Sequence, residues 1–283
     1  MSRLFRSTRL DERLYSMPRY LEKLEAARLE YGALCLGIDP AEQTLIDWGL
    51  PDSPYGLREF SFSLIEAAEG RVGILKPQVA FFERFGAAGM SALEEVLQTA
   101  RDADFVVIAD AKRADVGSTM LGYAQAFFGD DSPLRADALT VSPYLGPTSL
   151  TETLGYADDV GAGLFMLAAT SNTEAKQLQT AKIGNATVAS KVVEQAKKLG
   201  PSCGVVIGAT QDLAEFGLDS IAKDDIGIPI LAPGFGYQGA KLTDLDLIFG
   251  KSSKRVICNV SRAATQAGPL EIIRSIESLK SQL

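Results

Sequence analysis

Residues 108–119 read IADAKRADVGST, and four of the six residues in the embedded DAKRAD carry charge. The apolar run from Phe105 to Ile108 just before them reads as a buried strand. Asp110 and Lys112 cannot follow that strand into an apolar interior without partners, because an unpaired buried charge is too costly. Side chains at i and i+2 of an extended chain point the same way. Asp110 and Lys112 therefore emerge together at the strand's C-terminal end, with Asp115 just beyond in the turn. The chain contains no histidine, which removes every His-dependent triad, metal site and acid–base pair. These residues offer fixed charges of both signs at the mouth of a site.

Elements that could hold such a mouth recur along the chain. Apolar strand-like runs lie at 32–38, 73–77, 105–110, 138–144, 163–170, 203–210, 228–234 and 255–262, about 25 to 40 residues apart. Each interval leaves room for one crossover helix. The intervening segments 91–103 and 189–200 carry apolar residues at i, i+3, i+4 spacing, and Gly200 then Pro201 terminate the second. Short all-apolar strands alternating with amphipathic helices indicate a parallel sheet covered on its outer face. Eight such units predict an α/β fold, a closed (β/α)8 TIM barrel, in one domain spanning residues 1–283. A doubly wound open sheet is the alternative. Residues 1–32 read as a charged N-terminal helical extension of one or two helices that closes the barrel bottom or covers an edge.

Composition narrows the functional classes. With 46% hydrophobic and 23% charged residues over 283 positions, this is ordinary soluble-protein composition. No apolar run approaches membrane-spanning length, and the N-terminus lacks a signal-peptide core. A cytoplasmic protein without membrane partners is expected. The net charge of −8 and the lack of a basic cluster argue against a nucleic-acid surface. Cys35, Cys203 and Cys258 fall in separate predicted strands without CxxC spacing, so they read as small core residues in a reducing compartment.

In barrels of this kind the strand C-terminal ends carry the chemistry. Here those ends are Asp39-Pro40, Lys76-Pro77-Gln78, Asp110-Ala111-Lys112, Ser142-Pro143-Tyr144, Thr170-Ser171-Asn172, Thr210-Gln211-Asp212, the PGFGYQG turn at 233–239, and Ser261-Arg262. Every end is polar, and charge alternates in sign across the first three. A solvated charged loop or a stabilising ion-pair cluster is the plainer reading. Isolated surface pairs gain too little to explain charges stacked on adjacent strand ends.

The segments LCLGIDP, ILKPQVAFFE, ADAKRADVGSTM, TVSPYLG, LAATSN, APGFGYQG and NVSR, in that order over roughly residues 34–268, resemble the orotidine 5′-phosphate decarboxylase family in its longer bacterial branch. DxKxxD alone is shared with related sugar-phosphate barrels; its combination with Lys76, LAATSN and PGFGYQG is specific. The resemblance implies decarboxylation of orotidine 5′-phosphate to UMP and CO2 in pyrimidine biosynthesis, with no metal and no cofactor, by a homodimer whose active site lies at the subunit interface. It implies Lys112 as the group that stabilises and protonates C6, Asp110 beside the scissile carboxylate, and Lys76 and Asp115 completing a Lys–Asp–Lys–Asp network. Asp115 would enter from the partner subunit, and Thr119 would reach the same substrate's ribose. Asp39 is assigned to ribose hydroxyls, although helix N-capping would also explain it. Ser171 is assigned to the pyrimidine edge, while Thr170 and Asn172 read equally well as turn formers. Gly234 and Gly236 let backbone amides approach a phosphate, Gln238 adds a side-chain amide, and Arg262 supplies a bidentate cation. Ala114 and Ala240 stand where the family has glycine, and Thr173 where it has proline, which puts loop geometry in question. Two rivals remain: a magnesium-dependent sugar-phosphate lyase or aldolase on the same barrel, and a non-catalytic binder of phosphate ligands.

Overall fold

The computed structural model describes residues 19–283. Eight parallel strands close a barrel: β1 (Leu34–Ile38), β2 (Ile74–Pro77), β3 (Val106–Arg113), β4 (Ala138–Val141), β5 (Gly163–Ala169), β6 (Cys203–Ile207), β7 (Ile230–Ala232) and β8 (Val256–Val260). Each strand pairs with its sequence neighbours, and β1 closes on β8 through Leu34–Cys258, Cys35–Asn259 and Leu36–Val260. All eight expected strands are therefore present. β3 runs further than its apolar run, through the charged residues to Arg113, and β4 stops at Val141, short of the polar Ser142.

Alternate residues of each strand face opposite sides, so the barrel has two apolar layers. Cys35, Ile74, Val106, Ile108, Ala138, Phe165, Val206, Leu231 and Ile257 fill the lumen. The other parity packs outward against the helices, including α2 (Pro54–Ala68), α3 (Gly86–Asp102), α4 (Gly117–Phe128), α5 (Thr151–Val160) and α6 (Val188–Leu199). The helices expected at 91–103 and 189–200 are α3 and α6, and α6 ends at Gly200 with φ +127°. Between β5 and α6 the chain adds a two-residue hairpin, Lys182–Ile183 against Ala186–Thr187, that hydrophobic patterning did not indicate.

The N-terminal helix α1 (Arg19–Tyr31) plugs the barrel bottom; any helix on residues 1–18 lies outside the described residues. Tyr20 and Leu24 join the lumen cluster, and the Tyr20 ring meets Phe165 edge-on at 6.3 Å between centroids. Gly163 makes room for that ring, since a Cβ there would lie 2.4 Å from Tyr20. Cys35, Cys203 and Cys258 are buried free thiols, each pushed up to about 12 chiefly by burial. Among the described residues no helix is long and apolar enough to cross a membrane.

This plug yields a stability test. Gly163→Ala forces a methyl group into the Tyr20 ring and is expected to cost about 1–3 kcal/mol in urea unfolding. In a Tyr20→Ala background the same change should cost far less, because the opposing ring is gone. Equal costs in both backgrounds would show that α1 does not seat on Gly163.

Candidate active site

The lumen parity continues upward past the apolar layer, and there it turns polar. Ile74 is followed on its face by Lys76 and Gln78, Ile108 by Asp110 and Lys112, Ala138 by Thr140, and Cys35, four residues further on, by Asp39. These side chains line a cavity of about 350 Å3 at the C-terminal mouth of the barrel. Leu167, Val206 and Leu231 contribute apolar wall, and the 233–238 turn with Asn259, Ser261 and Arg262 lines the remaining rim.

Asp110 is the centre of this arrangement and is only 7% exposed. Its Oδ2 accepts from Lys76 Nζ at 2.8 Å and from Gln78 Nε2 at 3.1 Å. Its Oδ1 accepts from Lys112 Nζ at 2.6 Å and from the Thr140 hydroxyl at 2.8 Å. Burial alone would raise this carboxyl, but Lys76 and Lys112 override it and hold it well below the usual carboxylate range. Lys76, 4% exposed, is pulled down by burial, yet Asp110 and Asp39 more than reverse that and keep its ammonium above the ordinary lysine range. Lys112 differs from Lys76 in access. About half of its side chain is exposed to the cavity side, which leaves its ammonium anchored at one end and open at the other.

Asp39 lies 3.9 Å from Lys76 through an Oδ1 that is buried without a hydrogen-bond partner. Helix capping does not explain it: the short helix Glu42–Asp47 has Ala41 at its N-cap and no side-chain cap. Thr170, Ser171 and Asn172 all line the cavity, and Thr170 and Asn172 also hold the turn together. Thr170 Oγ1 donates to Asn172 Oδ1 at 2.7 Å and accepts from Gln179 Nε2 at 3.0 Å. Gly234 and Gln238 line the cavity, and the Arg262 guanidinium stacks over Tyr237 at 3.9 Å from the ring centre. Gly236 does not line it; its N–H donates to Ala240 O at 2.8 Å, so that glycine shapes the turn with φ +74°. Asp115 and Thr119 also stay outside the cavity of this chain. Asp115 is half-buried after β3 with Oδ1 accepting from Val116 N, and Thr119 is exposed on α4. Ala114, Thr173 and Ala240 all adopt negative φ, so none needs the freedom of glycine.

Sequence reasoning passed over Gln78, Thr140 and Asn259 as site residues. All three occupy the lumen parity one or two steps above an apolar lumen residue, a signal present in the sequence. Tyr237 carried no such signal, because its place under Arg262 depends on the turn's three-dimensional path.

Residues 32–275 match the family described as orotidine 5′-phosphate decarboxylase / HUMPS. Among curated relatives, the orotidine 5′-phosphate decarboxylase of Streptomyces coelicolor is 46% identical over 257 residues, covering 87% of this chain and 90% of that one. That of Corynebacterium glutamicum is 44% identical, covering 88% and 91%. Among solved structures, a Streptomyces avermitilis protein provisionally assigned as orotidine 5′-phosphate decarboxylase superposes with a TM-score of 0.87 at 42% identity, covering 94% and 95%.

The Asp110 cluster has a pH signature. Removing one member of a buried ion pair leaves its partners uncompensated, so Asp110→Asn is expected to cost about 3–5 kcal/mol near neutral pH. The folded carboxyl titrates below its unfolded value of about 3.9, so its stabilisation is complete above that value and is lost as pH falls through the folded pKa. The stability gap between wild type and Asp110→Asn should therefore hold steady from about pH 7 to 5 and narrow from about pH 4 downward. Urea unfolding across that range reads it; a gap that does not change with pH would contradict the ionised, clamped Asp110.

Proposed function

Because the chain belongs to the orotidine 5′-phosphate decarboxylase / HUMPS family, we propose that it converts orotidine 5′-phosphate to UMP and CO2 in pyrimidine biosynthesis, using fixed charges without metal or cofactor, with Lys112 protonating C6. The observation that carries this reading is the Lys76–Asp110–Lys112 array, in which one buried carboxylate orients two ammonium groups of unequal access. Loss of CO2 breaks the bond from C6 to the carboxyl carbon and leaves the electron pair on C6. Lys112 Nζ, tethered to Asp110 and open towards the cavity, stabilises that pair and then donates a proton to it, becoming a neutral amine. The substrate carboxylate sits near Asp110, where like-charge contact disfavours the ground state relative to the transition state; this is the secondary contribution. Lys76 keeps Asp110 ionised throughout.

The remaining residues bind. Asp39, with an unpartnered buried oxygen, accepts from ribose hydroxyls. Ser171 hydrogen-bonds the pyrimidine edge. Gly234, Gln238 and Arg262 hold the phosphate, and the Tyr237 ring keeps the Arg262 guanidinium flat against the turn. Asp115 and Thr119, which do not line their own chain's cavity, serve the partner's site in a homodimer. The three buried free thiols accord with a cytoplasmic setting. A magnesium-dependent sugar-phosphate lyase would need carboxylate lone pairs for the metal. Here both Asp110 oxygens already accept two hydrogen bonds each, and Lys76 stands beside Asp39 where a cation would bind.

Loss of the orotate chromophore on mixing the protein with orotidine 5′-phosphate tests the reading, and the rate should survive exhaustive EDTA treatment. A chelator-sensitive activity restored by Mg2+ would favour the sugar-phosphate alternative.

Subunit exchange tests the dimeric site. Lys112→Ala and Asp115→Ala proteins, each inactive alone, should regain partial activity when mixed, because a mixed dimer assembles one site with Lys112 and Asp115 both intact. Failure to recover activity, with exchange demonstrated, would assign Asp115 to its own subunit's site.

A further inference from the structure

We propose that Thr140 is a positioning residue for Lys112, holding its backbone in a left-handed conformation through a single hydroxyl; this rests on the decarboxylase reading above. Lys112 has φ +49°, a region that bulky L-residues rarely occupy. Among the described residues only Asp104 and Lys112 are non-glycine residues with positive φ. The cause lies in the β3–β4 ladder. Ala109 pairs with Leu139 and Arg113 with Val141, so three residues, Asp110 to Lys112, oppose the single Thr140. A bulge of this kind re-aims side chains and removes backbone partners.

The N–H of Lys112 is the group most affected, because β4 offers no regular ladder position opposite it. Thr140 Oγ1 accepts from that N–H at 3.0 Å. The same hydroxyl gives its only proton to Asp110 Oδ1 at 2.8 Å, the oxygen that also accepts from Lys112 Nζ at 2.6 Å. One side chain, 1% exposed, thus fixes both ends of the tether: the backbone from which Lys112 departs and the carboxylate on which its ammonium rests. When Lys112 gives up its proton it ceases to be a counter-charge for Asp110. The Thr140 hydroxyl remains on Oδ1 through that step and keeps the carboxylate oriented for reprotonation of the amine.

Thr140→Val keeps the branched shape and removes both hydrogen bonds, whereas Thr140→Ser keeps both. Misplacing a reacting group by about 1 Å costs on the order of 100-fold in rate. Thr140→Val is therefore expected to lower kcat by about 10–100-fold, with KM for orotidine 5′-phosphate and affinity for UMP within about threefold of wild type. Thr140→Ser should restore kcat to within about threefold of wild type. The crystal structure of the valine variant should show Lys112 out of the positive-φ region, and that of the serine variant should show it retained. Wild-type kcat in Thr140→Val, joint loss of kcat and UMP affinity, or failure of serine to rescue would each overturn the assignment. So would an unmoved Lys112 in the valine crystal, and this geometric readout stands whether or not the wild type turns over orotidine 5′-phosphate. Absence of wild-type turnover would instead count against the reaction itself.

Discussion

A single carboxylate, Asp110, sets the terms for the rest of this molecule. Buried at the top of the lumen, it would be intolerable as an isolated charge; three of its four hydrogen bonds come from the neighbouring strands and the fourth from Lys112 on its own strand. β2 supplies Lys76 and Gln78, β3 supplies Lys112, and β4 supplies Thr140. Those donors are correct only if the three strands keep their register, so the charge cluster and the barrel specify one another. Replacing any member strands the others in a low-dielectric site. The cluster is therefore better understood as a device for orientation than as a source of stability.

The barrel contributes rigidity from below and adaptability from above. At the bottom, α1 presses Tyr20 and Leu24 into the lumen against Phe165, so the strands cannot slide without opening a cavity. At the top, the turns after β5 and β7 carry their own hydrogen bonds and present Ser171 and Gln238 to the cavity, and Arg262 joins them from just past β8. On the proposed reading, the rim groups hold parts of the substrate remote from the buried charges. Binding energy gathered there can hold a reacting carbon against Lys112 without any change in the cluster itself. Asp115 and Thr119 do not line this chain's cavity, and the proposed dimeric site rests on that position.

Much of this was legible in the sequence for a definite reason. Apolar runs at regular intervals force parallel strands and covering helices, and that periodicity located all eight strands. The i, i+2 rule placed Asp110 and Lys112 on one face, and it held even though Lys112 departs from strand geometry. Carried one step further, the same parity reaches Gln78, Thr140 and Asn259. Thr140 and Asn259 lie inside apolar runs, where uncharged polar residues look like ordinary strand residues, and Gln78 stands at a strand end where polarity alone marks no role. What the sequence could not convey was the β3–β4 bulge, since register depends on two strands at once. Nor could it convey the Arg262–Tyr237 stack or the hairpin at 182–187, which arise from loop paths rather than periodicity. At Ala114, Thr173 and Ala240 the φ angles are negative, so none of the three positions requires a left-handed backbone.

The central claim is that an ammonium clamped by Asp110 both stabilises C6 and delivers its proton, and the most direct measurement is the turnover number of Lys112→Ala on orotidine 5′-phosphate. General-acid catalysis and electrostatic stabilisation each contribute about 100-fold or more, so their joint loss should lower kcat by at least about 10,000-fold. Circular dichroism and UMP binding, measured on the same sample, should remain close to wild type. A folded Lys112→Ala protein that retained a tenth of the wild-type rate would contradict the account, because no other cavity ammonium shares the access of Lys112.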